Sequence, residues 1–328
     1  MNGLDLVAVI GAGTMGHALA LVHALGGCRV HITDRDRGIL ERSIGLIGAA
    51  ADTLVQADAI GAKEAGEALA RIEKKTALEE TLSDAELVVE AIIESPAAKR
   101  SLFAEIDEFA PKAAVIASNT SYLDVFPLIP ERRLEHSLIV HWYTPPYIVD
   151  LVDIAGGPGT DPGLLIRMRD FYQTLGKRPI VFEQLVQGYI ANRLQSALNL
   201  EVLHLLDEGL ATAEDIDTAI IHGLAQRLAI QGQIGKIDYT GLDMMQRAIA
   251  NRVYDPPDVK DSSRSIDALI AEGRQGVMSG AGFYDYGDST PEELFRTRDR
   301  KLLALKRALL DIELESGSDL QRARPDRS

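Results

Sequence analysis

LVAVIGAGTMG, residues 6–16, is the stretch that determines how the first part of the chain folds. Its apolar residues 6–10 predict a short buried strand, and the run Gly11-Ala12-Gly13-Thr14-Met15-Gly16 leads directly into a helix predicted over residues 17–25. The glycines allow a tight turn after the strand, a close approach of backbone to phosphate, and close packing of helix on strand. The helix N-terminus adds unpaired N–H groups and a partial positive charge. The stretch therefore predicts a site for the pyrophosphate of a dinucleotide.

A second predicted strand, residues 29–33, ends at Asp34, eighteen residues after Gly16. In a βαβ unit an acidic side chain at this point hydrogen-bonds the adenosine ribose hydroxyls and repels a 2′-phosphate. We therefore predict NAD rather than NADP as the cofactor. Two alternatives stay open at this position. Arg35 and Arg37 stand beside it, and an arginine there can hold a 2′-phosphate, while Asp34 itself can be an ordinary turn residue.

Composition bounds the class of protein. The 328 residues allow two domains with a large core, and 46% hydrophobic and 25% charged residues are typical of a soluble globular chain. A formal net charge of −15 argues against nucleic acid and anionic membranes as partners. The one cysteine, Cys28, cannot form an intrachain disulfide, and we predict a buried thiol. No apolar run of 18 residues and no signal-peptide pattern appear, so we predict a cytoplasmic protein.

The order of predicted elements indicates two domains. Strand-like and helix-like segments alternate to about residue 182, which is typical of an α/β fold with a doubly wound parallel sheet. Residues 49–75 are Ala-rich and predict a long helix within this part. From about residue 188 the pattern is helical. We predict a Rossmann-like domain over 1–186, an all-helical domain over 187–315 and a disordered tail over 316–328.

One histidine stands where catalytic groups of an α/β sheet lie. His141 follows the apolar run 138–140 and begins an irregular segment, and histidine suits proton transfer near neutral pH. Asp153 lies twelve residues later on the next strand-like run, where its carboxylate can orient the ring. The alternative is a structural histidine and a solvent-facing aspartate. We predict structural positions for the remaining histidines, which are His17, His23, His31, His136, His204 and His222.

Seven stretches in order resemble the L-3-hydroxyacyl-CoA dehydrogenase family over nearly the whole chain. They are VIGAGTMG (9–16), residues 86–94, ASNTSYL (117–123), the segment around His141, GYIANRL (188–194), IDYTGLD (237–243) and SGAGFYDY (279–286). The resemblance implies a Rossmann-like domain and a helical domain that forms a homodimer interface. It implies NAD-dependent interconversion of a 3-hydroxyacyl thioester and its 3-keto form, within fatty acid metabolism.

The resemblance also implies roles for single residues. His141 matches the catalytic histidine, Asn192 the active-site asparagine, and Ser121 the serine that hydrogen-bonds the reacting oxygen. Glu94 and Lys99 match a pair beside the nicotinamide ribose. The alternatives are a helix cap for Ser121, a helix-surface position for Asn192, and a solvated Glu94–Lys99 pair. The residues expected to contact the cofactor are Gly11, Gly13, Thr14, Met15, Gly16, Asp34, Glu94, Lys99, Asn119 and Thr144; no metal site is expected.

The chain departs from the family beside the predicted catalytic histidine. Asp153 replaces the usual glutamate, so the partner of His141 is one methylene shorter. Either the strand moves inward or a water bridges the two side chains. The usual His-Phe-Phe-Asn-Pro run is HWYTP here, so that Thr144 replaces an asparagine near the nicotinamide, and Trp142 and Tyr143 reshape the pocket.

The nature of the alcohol substrate stays open. The phosphates of coenzyme A call for basic residues near the segment after the second strand, yet residues 49–69 contain one, Lys63, against Asp52, Asp58, Glu64 and Glu67. Some relatives with the His-x-x-x-Pro-Pro pattern, which this chain shares, act on small free hydroxy acids or alcohols such as carnitine, gulonate or a pyridine alcohol. The alternatives are therefore a 3-hydroxyacyl-CoA dehydrogenase, a dehydrogenase that acts without coenzyme A, and a catalytically silent NAD-binding or structural protein.

Overall fold

The structure is a computed structural model that describes residues 4–251 and 254–315, with the side chains of 313–315 left aside. The chain divides into two compact units between Tyr189 and Ile190. The boundary predicted at 186/187 lies three residues earlier in the chain. The predicted tail, 316–328, lies outside the described residues.

The first unit is built on one eight-stranded sheet. Its strands are β1 (Leu6–Ile10), β2 (Arg29–Thr33), β3 (Ile72–Lys74), β4 (Leu87–Glu90), β5 (Val115–Ser118), β6 (Ser137–Trp142), β7 (Leu151–Ala155) and β8 (Arg178–Phe182). They lie in the order β3-β2-β1-β4-β5-β6-β7-β8, and neighbours are parallel except for the antiparallel pair β6–β7. The predicted α/β class with a doubly wound sheet is confirmed.

Helices cover the sheet and make up most of the second unit. In the first unit they are α1 (Gly16–Leu25), α2 (Arg37–Gln56), α3 (Ala62–Ala70), α4 (Leu78–Leu82), α5 (Pro96–Phe109) and α6 (Pro162–Thr174). They continue with α7 (Tyr189–Asp207), α8 (Ala213–Ala219), α9 (Gln226–Thr240), α10 (Leu242–Asn251), α11 (Arg264–Ala271) and α12 (Pro291–Glu315). A π-helical turn, Ile220–Ala225, joins α8 to α9.

The single helix predicted over residues 49–75 is wrong. α2 ends at Gln56, α3 begins after Gly61, and β3 follows as an edge strand. Asp58 between the two helices has a φ of 52°, in the left-handed region that interrupts a helix. Ile72 pairs with Val30 of β2. β3 is therefore stabilised by hydrogen bonds to the sheet edge, which its own sequence does not predict.

The sequences of the central strands are nearly continuous apolar runs because helices cover both faces of the sheet. Every residue of β1, β4, β5 and β6 is buried. Among the polar side chains of these strands, Glu90 at the end of β4 and Ser118 at the end of β5 are fully buried. Both lie at the carboxyl edge of the parallel strands, which is where ligands bind in open α/β sheets.

The described part of the second unit contains helices and no strand, and its β-type pairings are isolated bridges of Ala281 with Gly276 and Asp285. Thr212 and Asp215 form a cap at the start of α8, each accepting from the other's backbone N–H. Among the described residues of this unit the apolar side chains that are buried are Ile216 and Leu303. None of the described helices is long and apolar enough to span a membrane.

Candidate active site

The predicted glycine loop lies where the strand order reverses. Gly11 follows β1 with a φ of +94°, and its N–H donates to the carbonyl of Thr33 at 2.9 Å. A Cβ on Gly11 would stand 2.6 Å from the carbonyl oxygen of Ala91, just after β4. A Cβ on Gly16 would stand 1.6 Å from the carbonyl oxygen of Gly11. Two of the three glycines are therefore required by the turn itself, because any side chain would meet backbone.

The third glycine leaves the space that a cofactor needs. A Cβ on Gly13 would meet nothing within 4 Å, which is the open cradle that a pyrophosphate requires. Thr14 is exposed at the tip of the loop, and Met15 is half-buried with its sulfur 3.3 Å from the Thr144 hydroxyl. Thr144, from the segment after β6, therefore stands against the predicted phosphate loop. The donors and the space at this loop fit a dinucleotide.

Asp34, the residue predicted to hydrogen-bond the adenosine ribose, lies beside the same loop. One oxygen of Asp34 accepts the N–H of Ala12 at 2.8 Å, and the other accepts the N–H of Asp36 at 2.9 Å. Asp34 is partly exposed, so its remaining lone pairs can accept ribose hydroxyls. The guanidinium of Arg35 lies 3.1 Å from Glu105. This ion pair with Glu105 favours NAD over NADP, because it engages the arginine that could otherwise bind a 2′-phosphate.

A buried ion pair supports the loops after β4 and β5. The ammonium of Lys99 on α5 lies 2.7 Å from both carboxylate oxygens of Glu90, and both side chains are fully buried. Glu90 also accepts the hydroxyl of Ser118 at 2.5 Å and the N–H of Ile92 at 2.9 Å. The alternative of a solvated Glu94–Lys99 pair is wrong for the lysine. Lys99 is 3.4 Å from Glu94 but has no exposed surface.

Glu94 links this pair to Ser121, the serine predicted to hydrogen-bond the reacting oxygen. Its carboxylate accepts the hydroxyl of Thr120 and, at 3.2 Å, the N–H of Ser121. Partial burial acts to raise the pKa of Glu94, but the Thr120 hydroxyl, the Lys99 charge and backbone N–H groups outweigh it, so the pKa lies below its usual value. Glu94 is therefore ionised at neutral pH and fixes the turn that carries Ser121.

Ser121, His141 and Asp153 form one hydrogen-bonded chain. Ser121 Oγ lies 3.1 Å from His141 Nε2, and His141 Nδ1 lies 3.3 Å from Asp153 Oδ2. His141 and Asp153 are directly opposite each other in the antiparallel pair β6–β7. An ionised carboxylate accepts only, so we assign the proton to Nδ1, which leaves Nε2 as an acceptor. The alternative of a solvent-facing Asp153 is wrong, because this side chain is fully buried.

Asn119 and two tyrosines complete the surroundings of His141. Asn119 Oδ1 accepts the N–H of Trp142 at 3.2 Å, which ties the end of β5 to the end of β6. The ring of Tyr189 stacks on the imidazole of His141 with centroids 4.7 Å apart, and the ring of Tyr143 meets it edge-on at the same distance. The imidazole is thus held on a face and on an edge.

Sequence reasoning placed Tyr143 at the pocket but missed its contact with Asp153, and it missed Tyr189 altogether. The hydroxyl of Tyr143 donates to Asp153 Oδ2 at 2.5 Å, and that of Tyr189 donates to the Thr120 carbonyl at 3.1 Å. Burial, followed by the nearby Asp153 carboxylate, raises the pKa of both hydroxyls, so that they act as donors at neutral pH. Tyr189 has a φ of 47°, an uncommon conformation for a bulky residue. The sequence feature that could have indicated the position of Tyr189 was the Gly-Tyr pair in GYIANRL.

The other predicted site residues are placed as follows. Asn192 lies half-buried in the first turn of α7 within the second unit, where its carbonyl accepts the Ser196 hydroxyl at 2.8 Å, and its role stays a prediction. Cys28 is buried, and burial raises the pKa of its thiol to about 11, as expected for an inert thiol. In the described ranges no group of three or more metal-ligating side chains is arranged to hold a metal ion.

Comparison with known proteins gives matches along most of the chain. The family model of the 3-hydroxyacyl-CoA dehydrogenase NAD binding domain matches residues 6–185, and that of the C-terminal domain matches residues 188–286. The chain is similar to L-carnitine dehydrogenase of Nocardiopsis dassonvillei, with 33% identity over 311 residues covering 94% of this chain and 92% of that protein. Mitochondrial hydroxyacyl-coenzyme A dehydrogenase of Sus scrofa is 31% identical over 294 residues, covering 85% and 90%.

A solved structure matches over nearly the same length. It is the crystal structure of 5-formyl-3-hydroxy-2-methylpyridine 4-carboxylic acid 5-dehydrogenase, described as an NAD⁺-dependent dismutase. The TM-score is 0.84 at 26% identity, and the match covers 94% of this chain and 99% of that one. These findings confirm the predicted NAD cofactor and the predicted order of a Rossmann-like domain followed by a helical domain.

Proposed function

Because the chain belongs to the 3-hydroxyacyl-CoA dehydrogenase family, we propose that it moves a hydride between a secondary alcohol and NAD with His141 as the general base. The observation that carries this proposal is the chain Ser121–His141–Asp153 at the carboxyl edge of the sheet. A base must lie within hydrogen-bond reach of the proton that it takes. Nε2 of His141 meets this requirement for an alcohol that contacts Ser121.

The proposed reaction balances as a proton and a hydride. The substrate O–H proton passes to His141 Nε2, the C–O bond becomes C=O, and the hydrogen on the same carbon leaves with its electron pair. When bound, NAD supplies the acceptor for that hydride. Asp153 accepts from Nδ1–H throughout and stabilises the imidazolium that forms. Ser121 turns its hydroxyl hydrogen from Nε2 toward the substrate oxygen, and Asn192 is proposed to hold the same oxygen.

We propose that the cofactor is held by the groups around the glycine loop. The backbone of Gly13, Thr14 and Met15 faces the pyrophosphate, and Asp34 accepts the adenosine ribose hydroxyls. At the nicotinamide end Glu94, Asn119 and Thr144 are the candidates for contact. Lys99 contributes indirectly, because its ammonium is buried between Glu90 and Glu94.

Regarding the substrate, we favour a small free hydroxy acid or alcohol over a coenzyme A thioester. The acidic residues of segment 49–69, namely Asp52, Asp58, Glu64 and Glu67, are all exposed. Its one basic side chain, Lys63, lies 3.8 Å from Glu67, and Arg71 just after it lies 3.7 Å from the same residue. This surface repels phosphate groups. The similarity to an L-carnitine dehydrogenase and to a pyridine carboxylate dehydrogenase points the same way.

A coenzyme A thioester is the second candidate, favoured by the match of both family domains. The two are separated by assaying acetoacetyl-CoA with NADH beside a panel of free hydroxy acids and alcohols, carnitine included, with NAD. We expect turnover in the free panel and kcat/KM at least about 100-fold lower for the thioester, on the order of the loss from unpaired phosphates. Faster turnover of acetoacetyl-CoA would overturn the preference. Tight NAD binding with no turnover of any compound would favour the silent protein.

The role of His141 is tested by substitution. His141→Ala should abolish turnover, with a loss on the order of 10⁴-fold, and should leave NAD affinity within about twofold. The matched control is His136→Ala, because His136 lies just before the opposite end of the same strand, β6. Near-normal activity of His141→Ala would refute the mechanism, and equal losses in both variants would indicate a structural effect.

We also propose a homodimer formed through the helical unit. Large apolar side chains on α9 and α10 are exposed, among them Ile234 at 71%, Leu242 at 67% and Ile249 at 67%. We infer from these exposed apolar side chains that α9 and α10 contribute to an interaction surface. Light scattering after size exclusion should give twice the chain mass, and a monomer at micromolar concentration would refute the proposal. A cytoplasmic location stays a prediction, which cell fractionation checks.

A further inference from the structure

The hydrogen bond between His141 and Asp153 is long. Nδ1 and Oδ2 are 3.3 Å apart, beyond the usual range of about 2.7–3.2 Å for N–H···O. The paired strands β6 and β7 set the separation of the two backbones, and the short aspartate side chain must span it. By itself a bond of this length constrains the rotation of the carboxylate weakly.

The hydroxyl of Tyr143 supplies the missing constraint. It donates to Oδ2 at 2.5 Å, to the same oxygen that faces His141. The other oxygen, Oδ1, is buried and meets no hydrogen-bond donor among the described residues. Rotation of the carboxylate would break the short bond to Tyr143, and therefore Oδ2 stays toward Nδ1.

The imidazole ring already has independent support. Tyr189 stacks on its face at an interplanar angle of 21°, and the ring of Tyr143 meets it at 82°. Both contacts come from the rings and do not need the Tyr143 hydroxyl. The hydroxyl thus acts on Asp153, whereas the rings act on His141.

We propose that Tyr143 is a positioning residue whose hydroxyl holds the Asp153 carboxylate against His141 and compensates for the short reach of aspartate. This inference rests on the proposed function, in which His141 is the base. Tyr143 touches neither of the reacting atoms in this proposal; it acts through Asp153. In this proposal Tyr143 and Asp153 act together to position His141.

Tyr143→Phe removes the hydroxyl and keeps both ring contacts. We expect kcat to fall on the order of 10- to 100-fold, the loss typical of a misplaced catalytic group, with KM and NAD affinity within about twofold. The matched control is Tyr172→Phe, since the Tyr172 hydroxyl is buried without a hydrogen-bond partner among the described residues. That control should keep kcat within about twofold.

Variants of Asp153 test the same point with Tyr143 intact. Asp153→Glu lengthens the carboxylate by one methylene, so it can reach Nδ1 unaided, and kcat should stay within about tenfold of the parent. Asp153→Asn keeps the length and loses the charge, and should lose on the order of 10⁴-fold. In the Asp153→Glu background, Tyr143→Phe should cost less than about threefold, since the hydroxyl is no longer needed.

The outcomes separate this inference from the proposed function. If His141→Ala is inactive while Tyr143→Phe keeps full kcat, the positioning role is wrong and the mechanism stands. If His141→Ala stays active, the mechanism itself fails. A rise of KM at constant kcat in Tyr143→Phe would overturn positioning in favour of substrate contact. Equal losses from Tyr143→Phe in the parent chain and in the Asp153→Glu background would also overturn it.

Discussion

Replacement of Lys99 by methionine should destabilise the first unit by about 3–5 kcal/mol. Lys99 and Glu90 have no exposed side-chain surface, and the ammonium lies 2.7 Å from both oxygens of the carboxylate. Methionine keeps the apolar stem but removes the cation. Glu90 then retains the Ser118 hydroxyl and the Ile92 N–H as donors, and its buried charge has no counter-ion.

The contributions of charge and of packing to this loss of stability can be measured separately. In the double variant Glu90→Gln, Lys99→Met the buried charge is absent and an amide oxygen can still accept from Ser118 or Ile92. We expect this double variant to lose only about 1–2 kcal/mol, the penalty of an unpaired amide donor. Lys63→Met is the surface control, because Lys63 is 90% exposed and lies 3.8 Å from Glu67. It should change stability by less than about 0.5 kcal/mol.

Urea unfolding followed by tryptophan fluorescence is the assay. The chain has one tryptophan, Trp142, which is buried at the end of β6, so its emission reports on the first unit. A loss under about 1 kcal/mol for Lys99→Met would refute the argument from an uncompensated buried charge. A double variant no more stable than the single one would refute it as well, since packing alone would then account for the loss.

Three further outcomes follow from local structure. Gly16→Ala places a Cβ 1.6 Å from the Gly11 carbonyl oxygen, so it should abolish NAD binding and destabilise the first unit by about 3 kcal/mol or more. Gly13→Ala places a Cβ with nothing within 4 Å, so this variant should fold normally but bind NAD weakly. Calorimetry distinguishes the two variants. Burial lowers the pKa of His23 to about 4, so the unfolded chain takes up its proton first and stability falls as pH drops from about 6.5 to 4; His23→Leu should remove about 3 kcal/mol of that fall in urea titrations. Thr212→Ala removes the cap of α8 and should cost about 1 kcal/mol, read as faster amide exchange in α8, and unchanged exchange would contradict it.

The parts of the fold that could be predicted are those with local causes. The glycine loop was predictable because Gly11 and Gly16 are required by contacts within one turn. The buried strands were predictable because parallel strands covered on both faces are continuous apolar runs. β3 was not, since its three residues, Ile-Glu-Lys, are too few to show a period and include two charges. Its pairing with β2 is a property of the assembled sheet.

In the site, the pairing of His141 with Asp153 was predictable, whereas the detailed side-chain geometry around it was not. His141 and Asp153 were identified by position, but whether a strand shift or a water joined them could not be decided from the sequence. The structure places Nδ1 of His141 3.3 Å from Oδ2 of Asp153, and the Tyr143 hydroxyl donates to the same oxygen; both contacts depend on side-chain geometry across two strands. Burial of Lys99 could not be predicted, because a solvated pair with Glu94 stayed open as an alternative for this lysine. Its partner Glu90, an acid at the end of an otherwise apolar strand, was the signal that a buried cation lay nearby.

The antiparallel pair β6–β7 makes the site sensitive to the register of these two strands. Side chains alternate between the two faces of a strand, so a slip of one residue would turn Asp153 to the opposite face and bring Val152 or Ile154 opposite His141. The loop between the two strands therefore tolerates changes of length that keep this pairing, and any change that shifts it by one position removes the carboxylate entirely. A single-residue insertion or deletion there that shifts the pairing would be more damaging than most substitutions at the site.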